Sequence, residues 1–188
     1  MNSIRKNIIF LFISIQVILL NYNSAFSQHY SEYEVKAGYI YNFVKFVNWP
    51  NYSFENEYSP FVIGIYGDDP FDDILNIAFK DRTLNDRKWL IVHYSKLEDI
   101  KGCNLLFISG INKSELIKVL DVTKNSSILT IGDNISDFCE SGGIINFTKQ
   151  NARNRFEINN DAAINVKLVI SSKLLSLAKI INNNENRF

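Results

Sequence analysis

Neither sign of charge is in surplus: twenty Lys and Arg stand against twenty Asp and Glu in 188 residues, and no basic block stands out. That gives no support to a binding face built on phosphate neutralisation, so neither nucleic acid nor an anionic lipid surface is an expected partner. Cysteine is scarce, with only Cys103 and Cys139, too few for a disulfide framework. Histidine is scarcer in useful places. His29 and His93 are the only two: His29 sits at the start of the expected mature chain, and His93, in a strand next to Tyr94, has no Cys, Glu or His at ligand spacing, so no metal site is expected. Phosphate-cradling glycine motifs (GxGxxG, GxxxxGK[ST]) are missing, and so is the GxSxG elbow. The expected protein has no catalytic, cofactor or metal residues. A hydrolase with partners dispersed along the chain is the one enzymatic class left open.

The apolar run Ile8–Leu20 follows Arg5 and Lys6 and precedes Ala25-Phe26-Ser27. A positive start, a short apolar stretch and small residues at the peptidase positions read as a signal peptide over 1–27, cleaved between Ser27 and Gln28. The rival, an uncleaved anchor, suffers because a bilayer span needs about 20 apolar residues. No cysteine stands at or near the cleavage position, which disfavours a lipid anchor. The expected location is the periplasm. What remains, about 160 residues, suits one domain with a sizeable core, expected over 28–182, followed by a polar tail over 183–188.

The organising stretch is Tyr33–Pro50, YEVKAGYIYNFVKFVNWP. At helical spacing Val35, Tyr39, Phe43 and Phe46 share a face that Ile40, Val44 and Val47 widen, and Trp49-Pro50 ends the helix. Lys36 projects near the middle of that apolar arc. Either it snorkels past the helix end, or a carboxylate holds it, Glu157 being the first choice and Asp133 the second.

Beyond a polar loop, short apolar strands alternate with helices: Phe61–Tyr66, a helix over Phe71–Lys80, Trp89–Tyr94, Leu105–Ser109, a helix over Lys113–Thr123, and Ile128–Ile131. The alternation predicts a layered α/β fold with a mostly parallel central sheet flanked by helices. Asp69 and Pro70 read as the cap and first residue of the Phe71–Lys80 helix. At the Gly67 turn Asp68 and Asp69 put negative charge where a cradled phosphate would sit; the paired acids also resemble a receiver's phospho-acceptor site, but the export signal places the chain away from cytoplasmic Mg²⁺ chemistry. Cys103 and Cys139 fall at opposite ends of neighbouring parallel strands, beyond the roughly 7 Å Cα separation a disulfide allows.

Next, Ile144–Thr148 and Arg155–Asn159 read as an antiparallel hairpin, with Phe156 and Ile158 on one face and Arg155, Glu157 and Asn159 on the other. A short helix over Asp161–Val166 and a short strand Lys167–Ile170 follow. Ser171 or Ser172 caps a last helix with Leu174, Leu175, Leu177, Ala178 and Ile181 towards the core.

Three stretches, KAGYIYNFVKFVNWP (36–50), GGIINF with RFEIN (142–147, 155–159) and ISSKLLSLA (170–178), resemble the YfiR family of exported proteins. The resemblance spans nearly the whole chain after residue 27. It implies a periplasmic, non-catalytic α/β domain. The family's best-known member represses an inner-membrane diguanylate cyclase by binding its periplasmic sensor domain, and other members accompany, or are fused to, sensor histidine kinases. An outer-membrane, peptidoglycan-binding lipoprotein relieves that repression. Lys36, Asn42, Trp49, Glu157, Asn159 and Lys173 carry the family pattern. The best-known member has a disulfide in its glycine-rich hairpin. Cys139 matches the first thiol of that bond, while Asn146 stands near the second. The resemblance thus points to a repressor, with either thiol left for pairing between chains in a homodimer. The rival is a small-ligand protein with a pocket at the strand C-termini.

Overall fold

A capping box starts the first helix. In the computed structural model, which describes residues 31–151 and 153–182, Ser31 Oγ accepts from the Glu34 N–H at 3.2 Å. The Glu34 carboxylate accepts in turn from the Ser31 N–H at 2.5 Å. The helix, α1 (Glu32–Lys45), carries Glu32 and Glu34 in its first turn and Lys45 in its last, each sign at the favourable end of the dipole. The leader over 1–27, its Ser27–Gln28 cleavage position, His29 and the tail over 183–188 lie outside the described residues.

The helical pattern ran on to Trp49, but α1 stops at Lys45. Val47–Asn48 (β1) instead pairs antiparallel with Val169–Ile170 (β8). The Phe46 carbonyl accepts from the Ser171 N–H at 2.9 Å and secures the junction. Strand pairing from far along the chain overrides a local helical period.

The main sheet has seven strands: β2 (Phe61–Gly67), β3 (Trp89–Tyr94), β4 (Leu105–Ser109), β5 (Leu129–Asp133), β6 (Ile145–Gln150), β7 (Arg153–Ile158) and β9 (Lys179–Ile180), in the order β3-β2-β4-β5-β6-β7-β9. The first five are parallel, β7 runs antiparallel to β6, and β9 runs parallel to β7. This is the α/β fold with a mostly parallel sheet and an antiparallel hairpin that the alternating pattern predicts.

Both faces are covered. On one, Ala37, Ile40, Phe43 and Val44 of α1 pack with Ile63, Ile65, Phe107, Ile131, Phe147 and Phe156, and Leu75 and Phe79 of α2 (Ile74–Phe79) join them. On the other, Leu116, Val119 and Leu120 of α3 (Lys113–Thr123) pack with Leu106, Ile108, Phe138 and Cys139. Side chains alternating along each strand feed the two layers. Val35, assigned to the core stripe by spacing, is 37% exposed, and Lys36 lies inside.

Two further boundaries differ from the sequence pattern. The Asp69 carboxylate accepts from the Phe71 N–H at 2.9 Å and closes a local turn, and Asp72 adopts φ 46°, so α2 begins only at Ile74. The last helix, α5 (Ser172–Leu175), is one turn long and buries Leu174. Leu177 is 70% exposed, because the chain straightens to lay β9 beside β7. α4 (Asn160–Asn165) sits where the pattern placed it. Cys103 and Cys139 are both buried and free.

Candidate functional site

The strand order reverses between β2 and β4, since β2 leads to β3 on one side and the chain then crosses to β4 on the other. A crevice at the C-terminal ends of these strands is where open α/β sheets hold ligands. Here the protein fills it. The Asp68 N–H donates to the Ser109 carbonyl at 3.2 Å, and Ser109 Oγ donates to the Asp68 carbonyl at 2.6 Å. The Asp68 carboxylate rests where any side chain at position 110 would have to go, so Gly110, at φ +66°, is what lets the two loops meet. Phe71 is fully buried beside Phe107, ring centroids 4.7 Å apart. The pocket expected at the strand C-termini is therefore not carried by this geometry. A cavity of about 810 Å³ lies elsewhere, lined by Tyr41, Trp49, Phe54 and Arg87.

The neighbouring strand end carries the main polar cluster. Lys36 is 2% exposed, so it does not snorkel. Its Nζ contacts Asp133 Oδ1 at 2.5 Å and Glu32 Oε1 at 2.6 Å. The Tyr33 hydroxyl donates to Asp133 Oδ2 at 3.1 Å, and Lys149 Nζ lies 2.8 Å from Glu32 Oε2. Two lysines thus face two carboxylates in an unbroken chain from Lys149 to Tyr33. The Lys36 ammonium also sits 4.6 Å above the Tyr33 ring. Burial, reinforced by the Asp133 carboxylate, pushes the Tyr33 hydroxyl up to about 12. Hydrogen bonds from Lys149 and then Lys36 lower the Glu32 carboxyl. The arrangement pins the first turn of α1 to the ends of β5 and β6, and its charged groups are committed to one another.

Glu157, the first-choice partner of Lys36, is elsewhere. Phe147 lies opposite Phe156 and Asn146 opposite Glu157. The two phenylalanines join the α1 layer, so Glu157 faces the other way, and it accepts from Lys179 Nζ at 2.8 Å. Alternation along β7 decides the matter.

The other family-pattern residues separate by environment. Trp49 stacks edge-on against Phe61, centroids 5.0 Å apart, and its indole N–H donates to the Asn104 carbonyl at 3.2 Å. Asn159 is fully buried. Its Oδ1 accepts from the Ala162 N–H at 2.9 Å and caps α4, and its Nδ2 donates to the Cys139 carbonyl at 2.7 Å. Asn42 is exposed, and among the described residues its side chain bonds its own helix, donating to the Gly38 carbonyl at 2.9 Å. Lys173 is exposed on α5. These residues do not converge on one place.

Two residues that sequence reasoning missed act as clamps. Asn104 Oδ1 accepts from the Val62 N–H at 2.9 Å, and its Nδ2 donates to the Ser53 carbonyl at 3.2 Å. Asn146 makes paired bonds with Ile135, accepting at 3.2 Å and donating at 2.9 Å. The available signal was an amide inside an apolar strand run, a group that cannot be buried without partners.

The family profile described as YfiR/HmsC-like matches residues 33–179, from the first turn of α1 to β9. No curated protein matches the chain.

Proposed function

This chain belongs to the YfiR/HmsC-like family, and from that membership we propose that it is a periplasmic, non-catalytic regulator that represses a membrane-bound signalling enzyme by binding its periplasmic sensor domain. The enzyme is a diguanylate cyclase, with a histidine kinase as the second possibility. On this reading residues 1–27 are removed on export and residues 28–182 form the regulatory domain. A peptidoglycan-binding lipoprotein of the outer membrane is the partner that would relieve repression.

The observation that carries the reading is the extent of the family match, residues 33–179. A second observation supports it. The buried polar side chains Lys36, Asn104, Asn146 and Asn159 each hold segments of the fold together. Buried polar groups satisfied in that way make the fold rigid, which suits a protein that works by docking.

The test is capture from the host envelope with the purified protein as bait, together with cyclic di-GMP measured in a deletion strain. Expected are a membrane protein with a periplasmic domain on the bait and raised cyclic di-GMP in the deletion strain, restored by complementation. Failure to capture such a protein, with cyclic di-GMP and kinase output both unchanged, overturns the reading.

A further inference from the structure

Beyond the N-terminal ends of β2 and β3, at the end of the sheet away from the filled crevice, two loops meet the last turn of α1. Residues 51–59 lead into β2 and residues 83–88 into β3. Between them lies the cavity of about 810 Å³, a volume within the range of small-molecule sites.

Its walls are braced from within the chain. Leu84 and Arg87 exchange backbone hydrogen bonds at 3.0 and 2.9 Å, and Asn85 and Asp86 between them take φ 48° and 65°. Two consecutive left-handed residues mark the tight turn of type I′. Arg87 ties that turn to the other loop. Its Nη1 donates to the Asn56 carbonyl at 2.7 Å and to the Ser59 carbonyl at 2.8 Å, and its guanidinium lies 3.9 Å over the Phe54 ring. Asn56 fastens the loop tip, with Oδ1 accepting from the Tyr58 N–H at 2.8 Å and its own N–H donating to Ser59 Oγ at 3.1 Å. The Tyr58 backbone is thus held in place while its side chain, on the cavity wall, is 90% exposed. A large ring kept out of the core on a braced loop offers its faces to something else.

The lining has two chemistries. The rings of Tyr41 and Trp49, with Val44 and Val47, give an apolar surface, and the Trp49 indole N–H is already spent on the Asn104 carbonyl. Asn48, Glu57, Asn85 and Asp86 supply planar polar groups. Among the described residues these four side chains make no hydrogen bond or ion pair within the chain, in contrast to the committed charges around Lys36. Formal charge cancels, Lys45 and Arg87 standing against Glu57 and Asp86. A lining of zero net charge does not select an anion or a cation, and an apolar ligand would cover the polar groups without pairing them. Among the described residues no group of His, Cys, Asp and Glu could hold a metal ion.

We propose that this cavity binds a short neutral glycan. A pyranose ring presents a face of C–H bonds, weakly positive, which suits the negative face of an aromatic ring. Its rim of hydroxyls both donates and accepts, and amides with carboxylates answer both roles. No counter-charge is required, which the balanced lining matches. Because the two loops are locked by Arg87 and Asn56, little ordering cost falls on binding. Sugar binding here is independent of which signalling partner the protein regulates.

The experiment is titration calorimetry with tryptophan fluorescence on the chain as its host leaves it. The probes are three neutral disaccharides: cellobiose, maltose and the disaccharide of N-acetylglucosamine. Citrate, an anion, and free phenylalanine, a zwitterion, serve as comparators. Expected are saturable heat and a shifted emission with at least one disaccharide, and neither with the comparators. Tyr58→Ala removes a ring that the core does not use, and Asn85→Gly removes an amide at a φ that glycine accepts. Each should weaken sugar binding by about tenfold at an unchanged melting temperature. Ile117→Ala, on α3 across the sheet, should bind as the parent does. Failure of all three disaccharides to bind overturns the proposal. So does sugar binding that both cavity variants leave intact, or citrate or phenylalanine binding that Tyr58→Ala abolishes while the sugars stay inert.

Discussion

Lys36 is where one residue bears on the whole fold. Its ammonium is buried against Asp133 and Glu32, and the Asp133 side chain is itself 8% exposed. Removing one member strands the opposite charge away from water. Lys36→Met and Asp133→Asn should therefore each lower the unfolding free energy by about 3–5 kcal/mol in urea melts. The double variant should be less damaged than the sum of the two, since neither charge is then left alone. Additive losses under about 1 kcal/mol would mean the pair is not held in solution. The sequence made a buried lysine legible, because 3.6-residue periodicity placed it inside the apolar arc. It ranked the partners wrongly because Glu157 was chosen by strand membership alone, while the alternation of Phe156 and Glu157 already sent the carboxylate to the far face.

At the scale of elements, legibility followed how local the cause was. β3, β4 and α3 stand at the expected boundaries, Trp89–Tyr94, Leu105–Ser109 and Lys113–Thr123, since each is bounded by nearby polar or capping residues such as Asn112. α1 and α5 were read too long because β1 pairs with β8 and β9 with β7, contacts to residues remote in sequence. Of the polar framework, Asn159 was named and its function was not. It holds the start of α4 and the turn at Cys139 together with a single amide. Asn159→Ala should lose the cap and one of the two donors on the Cys139 carbonyl, which keeps the Gly142 N–H at 3.2 Å, at a cost of about 1–3 kcal/mol by chemical denaturation. Asn159→Ser, which keeps a neutral capping oxygen and loses the amide donor, should fall between the parent and Asn159→Ala. Equal stability of all three proteins would refute this.

For the molecule as a whole, the two thiols report on global opening. Cys103 and Cys139 are buried and free, and burial pushes the Cys103 thiol up to about 12 and the Cys139 thiol further up. In the unfolded chain a thiol titrates near its ordinary value of about 8.5. Because the folded values are raised, their contribution to stability is complete below about 8.5 and is lost as pH rises towards about 12. Melting temperature should thus decline across that alkaline window and should not respond to reducing agent at neutral pH. Thiol alkylation should proceed at the rate of unfolding, not at the rate of a free cysteine. Rapid alkylation in native buffer, or a melting temperature that drops by many degrees on reduction, would contradict the buried, unbridged thiols.

The pairing of the earliest described helix with late segments sets the order in which the protein can be completed. Lys36 and Asp133 are 97 positions apart, and β1 has no partner until Val169–Ile170 exists. A growing chain that has released α1 and β2 still lacks the strands that cover the apolar stripe Ala37, Ile40, Phe43 and Val44. Contacts of such long separation form slowly and last. For most of its synthesis the chain therefore carries an uncovered helix face that a holding chaperone can grip. Only the arrival of its final quarter makes it a finished protein.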